Sequence, residues 1–334
     1  MIRFFVEMKK EDLRIVFMGT PEFAVPTLKA ILDGGYNVVA VVTQPDKPVG
    51  RHGSVLQPSP VKQFSEQHGL PVLQPEKMKD PAFVELLRSY GANLQVVVAF
   101  RMLPEVVWDM PQYGTFNVHA ALLPQYRGAA PINWAIINGE RKTGVSTFFL
   151  DHDIDTGRVI MQKPFDIPQD ADVEYVYDGL MNLGANICIE TLERIVAADG
   201  SPVSIPQDEL MTAGETLHTA PKLFKENCRI DWNQEAEAVR NFIRGLAPVP
   251  GAWTMLDDAN GHETVLKIYK AHTEDDHATG TAGTIRLMGR NKMGVVAGDG
   301  TLLVLDELQL AGKKRMRATD FLNGMKEIEK YSVK

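Results

Sequence analysis

Residues 13–42 read LRIVFMGTPEFAVPTLKAILDGGYNVVAVV, and this stretch decides the fold. Its two apolar runs, Leu13–Phe17 and Val38–Val42, have the length of buried strands. Between them, Glu22–Leu32 repeats its apolar residues at the spacing of a helix. The stretch therefore predicts a strand, a helix and a second strand in that order.

The predicted helix has signals at both ends. Thr20 is suited to cap its N-terminus and Pro21 to occupy its first turn. Gly34 and Gly35 predict its end, because glycine readily adopts the left-handed conformation that closes many helices. The turn after the first strand holds a single glycine, Gly19, so the fingerprint of dinucleotide-binding folds and the P-loop are both absent.

A third apolar run, Leu94–Ala99, continues the alternation of strands and helices. Continuous apolar runs separated by helices are typical of a parallel sheet that is covered on both faces. The first two-thirds of the chain is therefore predicted to be a doubly wound α/β domain. Residues Gln44–Lys62, rich in proline and glycine, are predicted to form a long loop of the kind that often carries function.

A second domain is predicted, because 334 residues exceed the size of a typical single core. The periodic pattern breaks at residues 199–221, which we interpret as the end of a helix followed by a linker. A helix is then predicted at Ala236–Leu246. Short β-like segments with glycine-containing turns follow it and indicate a small barrel. These segments are Ala252–Leu256, Val265–Tyr269, Gly283–Leu287, Gly294–Val296 and Leu302–Leu308.

The composition is that of an ordinary globular protein, with 44% hydrophobic and 23% charged residues. The two cysteines, Cys188 and Cys228, lie outside any CxxC or Cys/His cluster, so structural zinc and a disulfide framework have little support. No apolar run reaches the roughly 18 residues of a membrane span. Residues Met1–Lys10 lack the cleavage site of a signal peptide. We therefore expect a soluble cytoplasmic protein.

The charge is unevenly distributed. The net charge of −8 argues mildly against a nucleic-acid partner, but residues 222–334 carry 17 Lys and Arg against 16 Asp and Glu. An RNA partner would have to use local basic clusters. The run Lys313–Arg317 (KKRMR) could grip phosphates, although such runs are more commonly solvated turns.

The most informative chemical signal is the pair Asn117 and His119. In an extended strand, residues two apart point to the same side, so the amide and the imidazole lie next to each other. The amide NH₂ can stabilise a developing oxyanion, and the imidazole can transfer protons near neutral pH. The alternative interpretation is a strand edge with two polar residues facing water, and spacing alone favours it.

Two segments follow this pair. Residues 121–131 form a proline- and glycine-shaped loop whose apolar part could line the pocket of a flat ligand, or serve as a structural turn. The aspartates of residues 151–155 fail the EF-hand pattern, because Thr156 and Gln162 occupy the required Gly and Glu positions. One of these aspartates could orient His119, and the sequence leaves open which. No Ser or Cys stands out as a nucleophile, which favours direct attack by a bound amine.

These pieces match a known family. The matching segments are 16–24 (VFMGTPEFA), 43–48 (TQPDKP), 58–62 (PSPVK), 117–119 (NVH), 122–124 (LLP), 126–132 (YRGAAPI), 155–157 (DTG), 220–222 (APK) and 312–314 (GKK). Any one alone would be weak, but together they are highly specific. From about Leu13 to Asn323, the chain resembles the methionyl-tRNA formyltransferase family.

The resemblance implies the reaction and the architecture. The formyl group of 10-formyltetrahydrofolate, a reduced folate, would be transferred to the α-amino group of initiator methionyl-tRNA, giving N-formylmethionyl-tRNA for translation initiation. The implied domains are an extension at 1–12, a Rossmann-like formyltransferase domain with a predominantly parallel sheet at 13–206, a linker at 207–221 and an OB-like tRNA-binding domain at 222–334. A monomer without a metal or a membrane partner is expected.

The resemblance also implies site residues. The catalytic trio would be Asn117, His119 and Asp155. The folate would contact Phe100, Arg101, Met102, Leu103, Ala121, Leu122, Leu123 and Pro124. The tRNA would contact Lys47, Arg51, Lys313, Lys314 and Arg315.

The chain departs from the family pattern at three places. Ala121 stands where a serine is common, residues 50–57 are less basic than usual, and Phe100–Leu103 replaces a smaller segment. We therefore expect a changed folate-pocket wall and a weaker electrostatic contribution of this loop to tRNA binding.

Other functions remain open on the residues alone. A related formyltransferase could use glycinamide ribonucleotide or an amino-sugar nucleotide as the acceptor, and a hydrolase could release formate from the same folate. A non-catalytic RNA-binding protein would not need Asn117, His119 and Asp155.

Overall fold

The structure is a computed structural model that describes residues 8–49, 55–212, 214–258, 260–325 and 327–334. Arg51, a predicted tRNA contact, and most of the predicted N-terminal extension lie outside the described residues. The chain divides into two units. The first unit comprises Met1–Gly128, Thr143–Phe165 and Tyr177–His218, and the second unit comprises Ala129–Lys142, Asp166–Val176 and Thr219–Lys334.

Strands and helices alternate in the first half of the chain, and strands predominate in the second half. The strands are β1 (Arg14–Gly19), β2 (Asn37–Val42), β3 (Lys47–Val49), β4 (Val55–Gln57), β5 (Val72–Leu73), β6 (Leu94–Val98), β7 (Thr115–His119), β8 (Arg127–Gly128), β9 (Lys142–Phe149), β10 (Val159–Asp166), β11 (Thr219–Ala220), β12 (Ala252–Asp257), β13 (Glu263–His277), β14 (Ile285–Met288), β15 (Lys292–Val296), β16 (Thr301–Leu310), β17 (Met316–Arg317) and β18 (Ser332–Val333). The α-helices are α1 (Val25–Asp33), α2 (Pro60–Gln67), α3 (Pro81–Ser89), α4 (Glu105–Trp108), α5 (Pro131–Ile137), α6 (Val173–Ala197), α7 (Ala236–Leu246) and α8 (Ala318–Gly324). The 3₁₀ helices are Lys10–Asp12, Glu22–Ala24, Gln207–Leu210, Glu226–Cys228 and Ile328–Lys330.

The main sheet of the first unit has the strand order β10–β9–β7–β6–β1–β2–β5. β1 pairs in parallel with β2 and β6, β2 with β5, and β6 with β7, whereas β9 is antiparallel to β7. The central strands are buried along most of their length, and Phe17 and Phe116 are fully buried. The predicted mostly parallel sheet, with its first strands at β1, β2 and β6, is confirmed.

The start of the first helix differs from the prediction. The chain enters α1 through the 3₁₀ turn Glu22–Ala24, and neither this turn nor α1 has a side-chain cap. The hydroxyl of Thr20 lies 3.4 Å from the backbone N–H of Gln44, from which it accepts a hydrogen bond. The prediction that Thr20 caps the helix is therefore wrong, because a 3₁₀ turn shifts the first α-helical residue to Val25.

The segment Gln44–Lys62 is also more ordered than predicted. β3 and β4 form an antiparallel ribbon, and α2 begins at Pro60. Ser59 caps α2, since its hydroxyl accepts the Lys62 N–H at 3.1 Å. Strands of three residues are too short for an alternating pattern to be recognised, so the sequence indicated only a loop.

The second unit contains an antiparallel sheet with the order β14–β15–β16–β13–β12–β18, and β17 also pairs with β16. Ladders join each pair of neighbours along this order, and the order itself is open. A single antiparallel bridge, Thr284 with Ser332, joins its two ends, and the Val333 N–H donates to Gly283 O at 2.9 Å. The predicted short strands are therefore confirmed, although β13 extends to fifteen residues.

The helix α7 was predicted with the bounds that the structure has, Ala236–Leu246. It packs against α5, which belongs to the same unit. Asn133 Nδ2 donates to Gly245 O at 2.8 Å. A Cβ on Gly245 would lie 2.7 Å from Cγ1 of Ile137, so the two helices approach closely at this glycine.

Candidate active site

The carboxyl ends of β1, β6 and β7 lie at the same edge of the sheet. Gly19 pairs with Val98, and Val98 pairs with Val118, in parallel registers. The strand order reverses between β1 and β6, and doubly wound folds bind ligands in the crevice at such a point. Asn117 and His119, at the end of β7, therefore lie beside the expected ligand crevice.

His119 is held in one orientation. Its side chain is 6% exposed, and its Nε2 lies 2.9 Å from the carbonyl oxygen of Tyr126. A carbonyl only accepts, so Nε2 carries a proton and donates it. Nδ1 then faces Asp155, whose Oδ2 lies 3.8 Å away. The ring also meets Phe148 edge-on, with 6.3 Å between centroids.

Asp155 is the aspartate of its segment that reaches His119. Asp151 and Asp153 are exposed, whereas the Asp155 side chain is only 14% exposed. Its Oδ2 accepts the Gly128 N–H at 3.0 Å. The backbone of Asp155 adopts a left-handed conformation, with φ of 55°. Of the three aspartates, Asp155 is therefore the one whose position allows it to orient His119.

Close backbone packing supports this segment. A Cβ on Gly157 would lie 1.7 Å from the carbonyl oxygen of Phe149, so only glycine fits there. The Thr156 hydroxyl donates to Asp153 O at 3.1 Å. The DTG segment at 155–157 thus combines a carboxylate with a glycine that lets the chain pass against β9.

Two residues that the sequence did not single out close around Asp155. Nε and Nη2 of Arg127 donate to Gln207 Oε1 at 2.9 and 2.7 Å. Nε2 of Gln207 donates to the carbonyl oxygens of Asp155 and Gly157, each at 2.8 Å. Gln207 lies in the predicted linker, far from Asp155 in sequence. Arg127, within the YRGAAPI segment, was the available signal.

Asn117 carries an unsatisfied atom. Among the residues that the structure describes, its Oδ1 has no hydrogen-bond partner although the atom is buried. Buried polar atoms are nearly always paired, so an orphaned one calls for an explanation. The two ends of an amide can exchange by rotation about its last bond, so either the oxygen or the NH₂ can face this place. A bound ligand with a polar group would satisfy it.

The predicted folate residues fall into two groups. Leu103, Ala121, Leu123 and Pro124 are buried, and the first three are 7%, 0% and 2% exposed. Leu122 is half-buried, and Met102 is 71% exposed. Residues of the first group could contribute to a ligand site mainly through their backbone. The missing hydroxyl at Ala121 accordingly removes no exposed polar group.

The loop that contains Ala121 and Leu123 is anchored by two side chains that the sequence did not reveal. Ser146 Oγ donates to Ala121 O at 2.6 Å and accepts the Leu123 N–H at 3.0 Å. Gln162 Nε2 donates to Leu123 O at 2.8 Å and to Ser146 Oγ at 2.9 Å. Ser146 is one of several polar residues of β9, which also holds Thr143 and Thr147, so the sequence carried no specific signal for it.

Arg101 lies in the other predicted folate segment, Phe100–Leu103. Its Nη1 donates to Glu76 O at 2.9 Å, and its Nη2 donates to Pro75 O. Burial lowers the pKa of its guanidinium from the ordinary value. Nε is buried without a hydrogen-bond partner in the part of the chain that is described. The guanidinium also lies 5.7 Å from the ring centroid of Phe100.

A polar cluster of Asp46, Lys62 and Gln74 lies next to the start of the ribbon β3–β4. Lys62 Nζ lies 2.7 Å from Asp46 Oδ2, and Gln74 Nε2 donates to Asp46 Oδ1 at 2.7 Å. The hydrogen bonds from Lys62 and then Gln74 hold the pKa of Asp46 below its ordinary value. Lys47, a predicted tRNA contact, is exposed at the start of β3. The cluster therefore fixes the base of a ribbon that presents this cation.

The basic run in the second unit has two kinds of members. Lys313 and Lys314 are exposed in the turn between β16 and β17. Arg315 is bound to Glu307, with Nε 2.7 Å and Nη2 2.6 Å from Oε2. Its guanidinium also lies 4.5 Å from the ring centroid of Tyr269. The two lysines are therefore the more available cations.

Neither a metal-binding cluster nor a membrane-spanning helix is found among the described residues. No group of three His, Cys, Asp or Glu side chains in this part of the chain could hold a metal ion. None of its helices combines the length and the apolar character that crossing a membrane requires.

Comparisons with known proteins identify relatives of the whole chain. Residues 13–192 match the family model "Formyl transferase", and residues 222–326 match "Formyl transferase, C-terminal domain". The chain is 57% identical to the methionyl-tRNA formyltransferase of Parabacteroides distasonis, over 98% of this chain and 100% of the relative. It is 54% identical to that of Bacteroides fragilis, over 98% and 99%.

Solved structures share the fold. WlaRD, a sugar 3N-formyl transferase in the presence of dTDP and 5-N-formyl-THF, matches with a TM-score of 0.61 and 17% identity, covering 90% of this chain and 99% of that one. HypX from Aquifex aeolicus, in complex with tetrahydrofolic acid, matches with a TM-score of 0.58 and 19% identity, covering 93% of this chain and 47% of that one.

Proposed function

The chain belongs to the formyl transferases and, within them, to the methionyl-tRNA formyltransferase family, and we propose that it transfers the formyl group of 10-formyltetrahydrofolate to the α-amino group of initiator methionyl-tRNA. The observation that carries this proposal is the match to relatives of that name over nearly the full length of both chains. The product, N-formylmethionyl-tRNA, is used in translation initiation, for which a cytoplasmic location is expected.

The site supports a folate-dependent reaction. It lies at the edge of the sheet where this class of fold binds ligands. Within the described part of the chain, the buried Oδ1 of Asn117 lacks a partner, which a ligand could supply. Half-buried Leu122 and exposed Met102 offer apolar surface within the proposed folate segments. Phe100, Arg101 and the backbone of Ala121–Pro124 complete the proposed folate contacts.

The proposed chemistry is direct attack. The amine nitrogen of methionyl-tRNA forms a bond to the formyl carbon, the carbonyl oxygen becomes an oxyanion, and the bond to the folate nitrogen then breaks. One proton must move from the amine to that nitrogen. Asn117 and His119 would stabilise the oxyanion, and His119 would move the proton, for which Nε2 must leave the Tyr126 carbonyl oxygen that it binds in this structure. Asp155, whose Oδ2 lies 3.8 Å from His119 Nδ1, would orient the imidazole.

The acceptor would be bound by both units. Lys47 and Arg51 are the proposed contacts of the first unit, and Lys313, Lys314 and Arg315 are those of the second unit. We further propose that the sheet of the second unit forms an OB-like barrel that helps to bind tRNA. The bridge between Thr284 and Ser332, which joins the two ends of its strand order, supports this arrangement. A monomer suffices for this scheme, because all proposed groups lie on one chain.

A formyl-transfer assay tests the function. Purified protein, 10-formyltetrahydrofolate and charged initiator methionyl-tRNA should give formylmethionyl-tRNA. Substituting His119→Ala should lower the turnover roughly 100- to 1,000-fold, as loss of one oxyanion donor typically does. His262→Ala, at an 83% exposed histidine, is the control and should leave turnover unchanged.

Two outcomes would overturn parts of the proposal. Formyl transfer to glycinamide ribonucleotide or an amino-sugar nucleotide, without transfer to methionyl-tRNA, would keep the chemistry and reject the acceptor. Binding of tRNA without any consumption of formyl-folate would favour a non-catalytic RNA-binding protein.

A further inference from the structure

Gln207 is a buried residue that touches none of the groups proposed to react. It is 3% exposed, and both ends of its amide are engaged, by Arg127 on one side and by the carbonyls of Asp155 and Gly157 on the other. A guanidinium only donates and a carbonyl only accepts, so these partners fix the orientation of the amide. Such a fully satisfied buried amide indicates a site where geometry is constrained.

Asp155 is the residue that needs such a constraint. Its φ of 55° lies in the left-handed region, which is unfavourable for a residue with a Cβ. Gln207 Nε2 binds the carbonyl oxygens of both Asp155 and Gly157. The peptide groups that follow these two residues therefore cannot rotate independently of each other.

The strained backbone sets the direction of the carboxylate. Asp155 Oδ2 accepts the Gly128 N–H at 3.0 Å and lies 3.8 Å from His119 Nδ1. Rotation of the backbone at Asp155 would move the carboxylate away from both groups. Arg127 and Gly128 are adjacent in sequence, so this dipeptide holds Asp155 directly through Gly128 and indirectly through Gln207.

We propose that Gln207 is a positioning residue for formyl transfer, because its amide holds Asp155 in the left-handed conformation that aims the carboxylate at His119. This inference rests on the proposed roles of His119 and Asp155. It gives Gln207, a residue of the predicted linker 207–221, a role in positioning Asp155.

The substitution Gln207→Glu tests the proposal. Glutamate keeps the side-chain size and an acceptor for Arg127, but it has no N–H to donate and faces two carbonyl oxygens with a carboxylate. We expect kcat to fall on the order of 10- to 100-fold, as displacement of a catalytic group by about 1 Å can do. KM for folate and for tRNA should stay within about twofold, because the lost contacts touch neither substrate. Gln112→Glu, the same change at an exposed position of the first unit, should keep the wild-type kcat.

A double substitution separates positioning from a general structural role. If Gln207 acts through Asp155, then Gln207→Glu should cause no further loss in an Asp155→Asn background, measured by single-turnover rates at high enzyme concentration. Equal fold losses in the two backgrounds would overturn the proposal.

The imidazole signal of His119 in NMR spectra gives a readout independent of turnover. We expect it to shift in Gln207→Glu in the same direction as in Asp155→Asn, and to stay at the wild-type position in Gln112→Glu. Should Gln207→Glu not fold, Gln207→Met, which keeps the length and lacks the donors, carries the same expectations. A folded variant with the wild-type signal and kcat would overturn the inference. Failure of the wild-type protein to formylate methionyl-tRNA would instead overturn the proposed function.

Discussion

Ser146 lies directly opposite His119 in the antiparallel pairing of β7 with β9, and its hydroxyl donates to the carbonyl oxygen of Ala121 at 2.6 Å. The same hydroxyl accepts the Leu123 N–H at 3.0 Å. The strand that pairs with the histidine therefore also fixes the loop that follows it. This arrangement couples the position of His119 to that of the proposed folate contacts Ala121 and Leu123.

Substituting Ser146→Ala should weaken both stability and folate binding. The free energy of unfolding should fall by about 1–3 kcal/mol, because the buried Leu123 N–H loses its acceptor. KM for 10-formyltetrahydrofolate should rise while KM for tRNA stays unchanged, and steady-state kinetics with each substrate varied would measure this. Ser89→Ala, at an exposed serine bound to Leu86 O, should change stability by no more than about 0.5 kcal/mol. Equal effects on the two KM values would contradict a local role.

Substituting Asn117→Ala should affect activity and stability in opposite ways. Its Oδ1 has no hydrogen-bond partner to lose among the described residues, so denaturant unfolding should show a free energy equal to or above that of the wild type. Turnover should fall roughly 100-fold or more, because one oxyanion donor is removed. Asn182→Ala, at an exposed asparagine on α6, should leave turnover unchanged. Normal turnover with lost stability would assign Asn117 a structural role instead.

The exposed lysines of the second unit should govern the salt dependence of tRNA binding. Replacing Lys313 and Lys314 by alanine should raise the Kd for tRNA and reduce the slope of log K against log salt by about 0.9 for each lost phosphate contact. KM for folate should not change. Arg315→Ala should have a smaller effect on the slope, since Arg315 is already bound to Glu307. An unchanged slope in the double lysine variant would exclude this turn from the tRNA interface.

His272 in the second unit should titrate above its ordinary value. Burial alone would lower its pKa, but the hydrogen bonds and charges of Asp306 and Glu274 together outweigh burial and raise the pKa above 6.5. Nδ1 lies 2.9 Å from Asp306 Oδ2, and Glu274 also binds Lys292 Nζ at 2.7 Å.

The sign of its effect on stability follows from this shift. Because the folded pKa exceeds the unfolded one, the stabilising contribution of His272 is fully present below about pH 6.5 and is lost as the pH rises through the folded value. An NMR titration should give a midpoint above 6.5 that decreases in Asp306→Asn. A wild-type midpoint at or below 6.5 would contradict the expected balance of interactions.

The parts of the fold that the sequence predicted are those set by local pattern. The apolar run Val38–Val42 and the amphipathic segment Ala236–Leu246 each specify an element through their own periodicity. The predictions of a loop at β3 and of a helix cap at Thr20 were wrong for the complementary reason. Three residues carry no readable period, and the role of a hydroxyl depends on Gln44, which is distant in sequence.

The same distinction applies to the candidate site. Asn117 and His119 were found because strand geometry places residues two apart on one side. The aspartate that approaches His119 could not be predicted, because Asp155 lies in a turn with positive φ and such a turn has no periodic sequence pattern. Gln207 was missed because its partners are 50 and 52 residues away in the chain, and only the folded backbone brings them together.

The interleaving of the two units has a consequence for synthesis on the ribosome. α5 is made early, but α7, against which it packs, follows roughly 100 residues later, a delay of about 5–20 s at typical elongation rates. During that interval Ile137 of α5 lacks its close approach to Gly245 of α7. A gene fragment that begins at residue 222 would never supply that partner to α7. We therefore expect a fragment cut at the linker to lack the segments Ala129–Lys142 and Asp166–Val176 of the second unit.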